Sequence, residues 1–289
     1  MRGLAAFAMG GRARAMIVAI AGASSLLFAW LSAAVVALVM LRKGVGEGLQ
    51  LLLWASLPAL VIARVTGDST VIALLVGTAA LAAVLRLSLS MALAALASTA
   101  IAVVTGVFMA AFAEPVLAEL ARVFGEFAAA MEQQGGGESL GVQIRPPTPL
   151  LLAGMLGTAN GALSYLCLVL GRSWQAGLYN PGGFGEEFRA LRFPPIVVWG
   201  LAAVALALIS AGFEWRSWGA MCLLPLTIAG FALLHARARV RGQSSFWLGA
   251  IYTAWLVFDA AKLALIGLVL ADAVLDFRTR WQGGSGGRD

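Results

Sequence analysis

Charge is scarce in this sequence. Only 12% of its 289 residues are Asp, Glu, Lys or Arg, about half the share found in soluble domains. That is too little to clothe a water-facing surface of this size. Histidine occurs once, at His235, so neither a histidine-based metal site nor a histidine-based triad is expected. Cysteine occurs twice, at Cys167 and Cys222, each inside an apolar run. Lone thiols in such surroundings behave as small hydrophobes, and two of them supply neither a disulfide framework nor a ligand spacing. No cofactor, no metal and no enzymatic activity are expected. Ser24, Ser25, Ser88 and Ser90 have no base nearby, and Gly44-Val45-Gly46-Glu47-Gly48 lacks the lysine and Ser/Thr of a phosphate-binding loop.

What the sequence does have is long uncharged runs. No charged residue occurs in Ala15–Leu41, Leu87–Ala113, Pro146–Gly171 or Phe193–Phe213. Each is long enough for a membrane helix, which needs about 20 apolar residues. Gly48–Ala63, Ser69–Leu85, Ser217–Leu234 and Gly242–Phe258 are shorter, and the last continues past Asp259 and Lys262 to Ala271. The runs are rich in Ala and Leu without period-2 alternation, so they predict helices and not strands. The expected fold is all-α: a polytopic membrane protein of about seven or eight segments, at 15–41, 48–63, 69–85, 87–113, 148–171, 194–213, 217–234 and 243–271. Residues 1–278 form one transmembrane domain, and 279–289 are expected as a disordered tail. The basic start, Met1–Arg14, is read as retained.

The net charge of +6 has a reading in topology and not in nucleic-acid binding. The connections after the first, third, fifth and seventh segments carry Arg42, Lys43, Arg86, Arg172, Arg189, Arg192, Arg237, Arg239 and Arg241. The alternate ones carry Arg64, Arg122, Arg145 and Arg216. The first set is expected in the cytoplasm. Two features resist this assignment. If 15–41 crosses, Arg2, Arg12 and Arg14 fall outside; if it dips and returns at Gly22-Ala23-Ser24-Ser25, they do not, and the dip is preferred. An odd number of later crossings also sends Arg278, Arg280 and Arg288 outside.

Two connections have patterns of their own. Residues 114–132 place Val116, Leu117, Leu120, Val123, Phe124, Phe127 and Met131 at helical spacing, which predicts an amphipathic outer helix. If the face made by Val116, Leu120, Val123, Phe127 and Met131 is a docking face, it is expected to be covered in the structure or in a complex. Arg122 and Glu126 stand at i,i+4. Gln133–Ser139 reads as a flexible linker on the outer side. The second connection, about 171–195, reads GRSWQAGLYNPGGFGEEFRALRFPP. Asn180-Pro181-Gly182-Gly183 is a turn signal, flanked by Trp174, Tyr179, Phe184 and Phe188 among charged residues that include Glu187. That mixture suits the headgroup layer.

The segment Trp174-Gln175, Leu178-Tyr179-Asn180-Pro181-Gly182-Gly183-Phe184, Glu187-Phe188 and Leu191-Arg192, with the basic start and Leu38-Val39-Met40-Leu41-Arg42-Lys43-Gly44, resembles the YybS-like family of uncharacterised bacterial multi-pass membrane proteins. The resemblance implies a bacterial inner membrane and supplies no activity.

Three groups of residues remain as candidates. Asp259 and Lys262 sit three apart in the last segment, where an isolated mid-membrane charge costs about 2.5–3.5 kcal/mol on insertion scales. They are expected to face the protein interior, and Asn160 is grouped with them as a polar intramembrane residue. Against a buried ion or substrate site stands the plainer reading of a self-neutralising pair. Gly154, Gly157, Gly161 and Ser164 form a small-residue stripe, which predicts close helix packing. The functional expectation is a transporter-like or substrate-binding membrane subunit; the alternative is a non-enzymatic membrane scaffold or envelope-assembly factor. The expected partners are the lipid bilayer and a membrane protein or a second copy, with no nucleic acid.

Overall fold

The computed structural model describes residues 2–133 and 145–283. These residues are helical, with no strand among them. The helices are α1 (Arg2–Met9), α2 (Arg12–Ala23), α3 (Ala29–Lys43), α4 (Val45–Thr66), α5 (Thr70–Ser88), α6 (Met91–Phe112) and α7 (Glu114–Gln133). After the undescribed 134–144 come α8 (Pro149–Tyr179), α9 (Gly183–Ala190), α10 (Pro195–Ser210), α11 (Arg216–Val240), α12 (Ser245–Val257), α13 (Asp259–Leu275) and α14 (Phe277–Gly283). Six helical stretches are individually long and apolar enough to cross a membrane: Leu26–Lys43, α4, α5, α6, α8 and Phe213–Val240. Two further pairs qualify only jointly, α9 with α10 bent by 70° and α12 with α13 bent by 115°.

The centre is α3. Its sequence is apolar all round, and every residue from Ser32 to Leu41 is buried, as expected of a helix with no polar face. α2, α4, α5 and α8 enclose it. α8 approaches it through Gly171, where an added β-carbon would lie 2.8 Å from the Ala34 carbonyl oxygen. The stripe Gly154, Gly157, Gly161 and Ser164 faces inward on α8. Gly157 and Gly161 lie against α6, where a β-carbon at Gly161 would come 2.6 Å from the Ser98 carbonyl. Gly154 lies against Ser217 and Trp218 on α11, and Ser164 against Gly77 on α5. Without side chains the backbones approach closely, which is how helices gain contact area where lipid offers no hydrophobic drive.

The uncharged run 15–41 is two antiparallel helices. α2 ends at Ala23, a short 3-10 turn spans Leu26–Phe28, and α3 returns. The Ser32 hydroxyl donates to the Ala19 carbonyl at 2.7 Å, and Gly22 lets the two helices of the hairpin meet at Ser32. The Arg12 guanidinium pairs with Glu47 just beyond α3. Both ends of the run therefore lie at the same end of the bundle.

The same holds at the other terminus, where the expected single helix 243–271 is corrected. Phe258 has extended backbone, φ −111° and ψ 123°, and the chain doubles back there. α12 descends beside α11, with Tyr252 stacked on Phe231 at 4.5 Å and its hydroxyl 2.9 Å from His235 Nε2. α13 returns with Leu265 on Gly230. Beyond it the Arg278 guanidinium donates to the Leu191 carbonyl at 2.8 Å, and Arg237 lies 5.6 Å from the Trp281 ring. Helix α14 thus extends into the stretch expected as a tail.

These two hairpins remove the conflict in the charge count. Arg12, Arg14, Arg278 and Arg280 join the nine basic residues of the odd connections at one end of the bundle. Arg64, Arg122, Arg145 and Arg216 remain at the other. We refer to these as the basic end and the far end.

Helix α7 is the outer helix expected from 114–132, but its buried stripe is shifted. Leu117 is buried and Leu120 partly buried, packed with Met109, Leu152 and Trp218, and Ala128 is also buried. Val116, Val123, Phe124 and Phe127 are exposed, so within this chain the face expected to be covered in the structure or in a complex is left open. The helix is apolar over a wider arc than one neighbour can occupy. The linker 134–139 falls outside the described residues.

Candidate functional site

The last hairpin carries the Asp259–Lys262 ion pair. Val257 ends α12 and Asp259 opens α13, where a carboxylate complements the positive end of the helix dipole. Lys262, one turn on, donates to Asp259 Oδ1 at 2.7 Å. At 1.5 Å rise per residue the two arms are roughly 20 and 25 Å long. Each arm is thus shorter than a hydrocarbon layer about 30 Å thick.

The pair faces outward. The Asp259 side chain is 90% exposed and that of Lys262 44%, which corrects the expectation that they face the protein interior. The reason is the break: in one straight helix the pair could have faced α11, whereas at the apex of a bend only its flanks touch the bundle. Leu256, Val257, Phe258 and Leu263 around it are also exposed. The pair is an ionic spot in an apolar outer surface, fixed from behind by Tyr252 and Trp255 against Phe231 and by Leu265 over Gly230.

Asn160 is not part of this spot. Its amide donates to the Thr105 hydroxyl at 2.9 Å and reaches the Ala73 carbonyl at 3.4 Å, tying α8 to α6 and α5. Thr99 similarly donates to the Met221 carbonyl at 3.1 Å. These are hydrogen bonds between helices that satisfy polar groups inside the bundle.

The connection 171–195 builds a polar collar at the basic end. α8 runs unbroken to Tyr179, so Trp174 and Tyr179 stand on its last turns and not in a loop, and Trp174 is buried. The turn Asn180–Gly182 follows, with Gly182 at φ +94°, a conformation that suits glycine. α9 then begins at Gly183. Arg172 grips Glu187 with two donors, one at 2.9 Å. Gln175 donates to the Leu41 carbonyl at 3.2 Å, Arg86 donates to the same oxygen, and Arg42 lies 4.0 Å from the Tyr179 ring centre. Phe184 stacks with Phe188, which meets His235 edge-on at 5.4 Å. The collar therefore caps the C-terminus of α3 and satisfies a carbonyl that the helix leaves unpaired.

A feature that sequence reading missed lies beside the collar. Two clefts share Arg192 and Arg278. One, of about 450 Å³, is floored by Val198, Ala229 and Val269 and edged by Asp272 and Asp276. The other, of about 620 Å³, is ringed by Arg189, Arg192, Arg239 and Arg278 and walled by Trp281. Asp272 accepts from the Phe277 amide at 2.9 Å. The Thr279 hydroxyl donates to Asp276 at 2.8 Å and holds that carboxyl below its ordinary range. The only signal for this grouping was the recurrence of arginine in three separate connections.

The fold is that of a polytopic helical membrane protein with two hairpins that enter and leave at the basic end. In comparison with known proteins, no family model, no curated protein and no solved structure matches the chain.

Proposed function

We propose that this chain is a non-enzymatic membrane subunit, a scaffold or assembly factor that binds a membrane protein sideways through the α12–α13 hairpin. The observation that carries the reading is the outward Asp259–Lys262 pair at the hairpin apex. In lipid each charge loses its hydration, and the mutual attraction of a surface pair offsets only part of that cost. A partner helix offering polar groups would satisfy both charges and cover Leu256, Val257, Phe258 and Leu263. A pair used for transport would instead be expected along an internal polar path. The same reading puts the basic end in the cytoplasm of a bacterial inner membrane and the chain among YybS-like proteins; the support is the arginine distribution and the loop resemblance.

The test compares Asp259→Leu, Lys262→Leu and the double replacement, each scored for abundance and for co-purifying membrane protein by native mass spectrometry. Single variants strand one charge and should lose both abundance and partner. The double variant should recover abundance and still lack the partner. A double variant that keeps its partner would overturn the reading.

A second reading, a substrate-binding or transporter-like subunit, is favoured by the two clefts at the basic end. It predicts a co-purifying ATPase, since the chain has no nucleotide-binding motif of its own.

A further inference from the structure

We infer that the paired clefts at the basic end bind a phosphate-bearing anion. Four arginines from four elements converge on the larger cleft: Arg189 of α9, Arg192 of the α9–α10 connection, Arg239 of α11 and Arg278 of α14. Glu186 is its one acidic lining residue. Among the described residues, only Arg192 of these four has a carboxylate within 4.0 Å, and that contact, to Asp276, is at the 4.0 Å limit. Guanidinium donors therefore outnumber their acceptors. Arg278 is held in place by its bond to the Leu191 carbonyl, and its Nε is buried without a partner, as is that of neighbouring Arg237. Converging, partly anchored guanidinium groups match the oxygens of a phosphate better than single-point cations do.

The adjoining cleft gives this site a second character. Below the Arg192–Arg278 rim its floor is apolar, formed by Val198, Ala229 and Val269, with Asp272 and Asp276 at its edge. Trp281 and the short helices α9 and α14 are suited to a membrane surface. A charged rim over an apolar floor suits an anionic phospholipid, with the headgroup on the arginines and an acyl chain against the floor. A free phosphate compound would use the rim alone. The site does not depend on the assembly reading, because the hairpin apex lies at the opposite end of α13.

The experiment titrates the purified full chain in neutral detergent with dihexanoyl phosphatidylglycerol, dihexanoyl phosphatidylcholine and inorganic pyrophosphate, reading binding by native mass spectrometry and intrinsic tryptophan fluorescence. Two variants are compared with wild type: Arg192→Gln/Arg278→Gln, and Arg189→Gln/Arg239→Gln, whose side chains make no hydrogen bond among the described residues. Phosphatidylglycerol should bind in preference to phosphatidylcholine, and each double variant should weaken it by roughly 10- to 30-fold, on the basis of about 1 kcal/mol per arginine at an anionic surface. Preference for the lipid over pyrophosphate identifies a headgroup; equal or tighter binding of pyrophosphate identifies a soluble phosphate compound. Either supports the site. Equal binding of the two lipids with no pyrophosphate binding would overturn it. So would undiminished binding in the Arg189→Gln/Arg239→Gln variant, whatever becomes of the other.

Discussion

The helix α3 and the hairpin α12–α13 were both legible as apolar runs, yet they do opposite things. α3 is enclosed from Ser32 to Leu41, and its end is held by Arg86, Gln175 and the Arg172–Glu187 clamp. The hairpin touches the bundle on one side and exposes Leu256, Val257, Phe258, Leu263 and an ion pair on the other. Hydrophobicity alone does not separate a core helix from a lipid-facing one, because lipid and protein interiors are equally apolar. The difference lies in small residues: Gly161 and Gly171 are pressed against neighbouring backbone, whereas Gly249 and Gly267 of the hairpin have open space.

The largest contrast is expected from truncating a leucine in each region. Leu38 is fully buried, so Leu38→Ala should cost about 2–5 kcal/mol. Leu263 is 72% exposed, and Leu263→Ala should stay within about 0.5 kcal/mol. Denaturation in mixed micelles followed by tryptophan fluorescence measures both; equal losses would erase the distinction. Adding bulk probes the same contrast from the other side. Gly161→Leu should destabilise by about 1–3 kcal/mol through overpacking of α8 on α6, while Gly267→Leu should leave abundance and melting temperature unchanged. A tolerated Gly161→Leu would mean that α6 and α8 are further apart than described.

Smaller effects come from two ion pairs of identical i,i+3 spacing. Arg122 holds Glu119 on α7, as Lys262 holds Asp259 on the hairpin. The α7 pair is exposed, and its side-chain hydrogen bond keeps the Glu119 carboxyl below the ordinary glutamate range. A depressed carboxyl pKa contributes stability at pH values above the ordinary range, and that contribution disappears as pH falls through the lowered value. In Arg122→Ala the Glu119 titration midpoint should therefore rise, read by carboxyl-selective NMR, with no change in co-purifying protein. An unmoved midpoint would contradict the pairing. Replacing both members of the α7 pair should be neutral, while replacing both members of the hairpin pair should remove the partner.

The parts of this structure that sequence could reveal are those written in composition or short periodicity. The apolar runs, the small-residue stripe on α8, the outer helix and the turn at Asn180–Gly182 are all of this kind. Of the two hairpin breaks, the one near Ser24–Ser25 was legible as a dip at Gly22-Ala23-Ser24-Ser25, and the one at Phe258, beside Asp259, was not. The break at Ser24–Ser25 rests on a 3-10 turn with a glycine nearby, and the one at Phe258 has neither proline nor glycine to announce it. With the break unseen, the spacing of Asp259 and Lys262 revealed their pairing but not their direction. The shifted stripe of α7 and the arginine cleft depend on which helices become neighbours, which no local pattern encodes.

The most direct measurement is photocrosslinking from the hairpin in intact membranes, with a benzophenone amino acid at Leu263 and, as a lipid-facing control, at Val104, which is 66% exposed on α6. The account predicts a discrete protein adduct from Leu263 that disappears when Asp259 and Lys262 are both replaced by leucine, and only lipid adducts from Val104. Lipid adducts alone from Leu263, or a protein adduct indifferent to the double replacement, would contradict it.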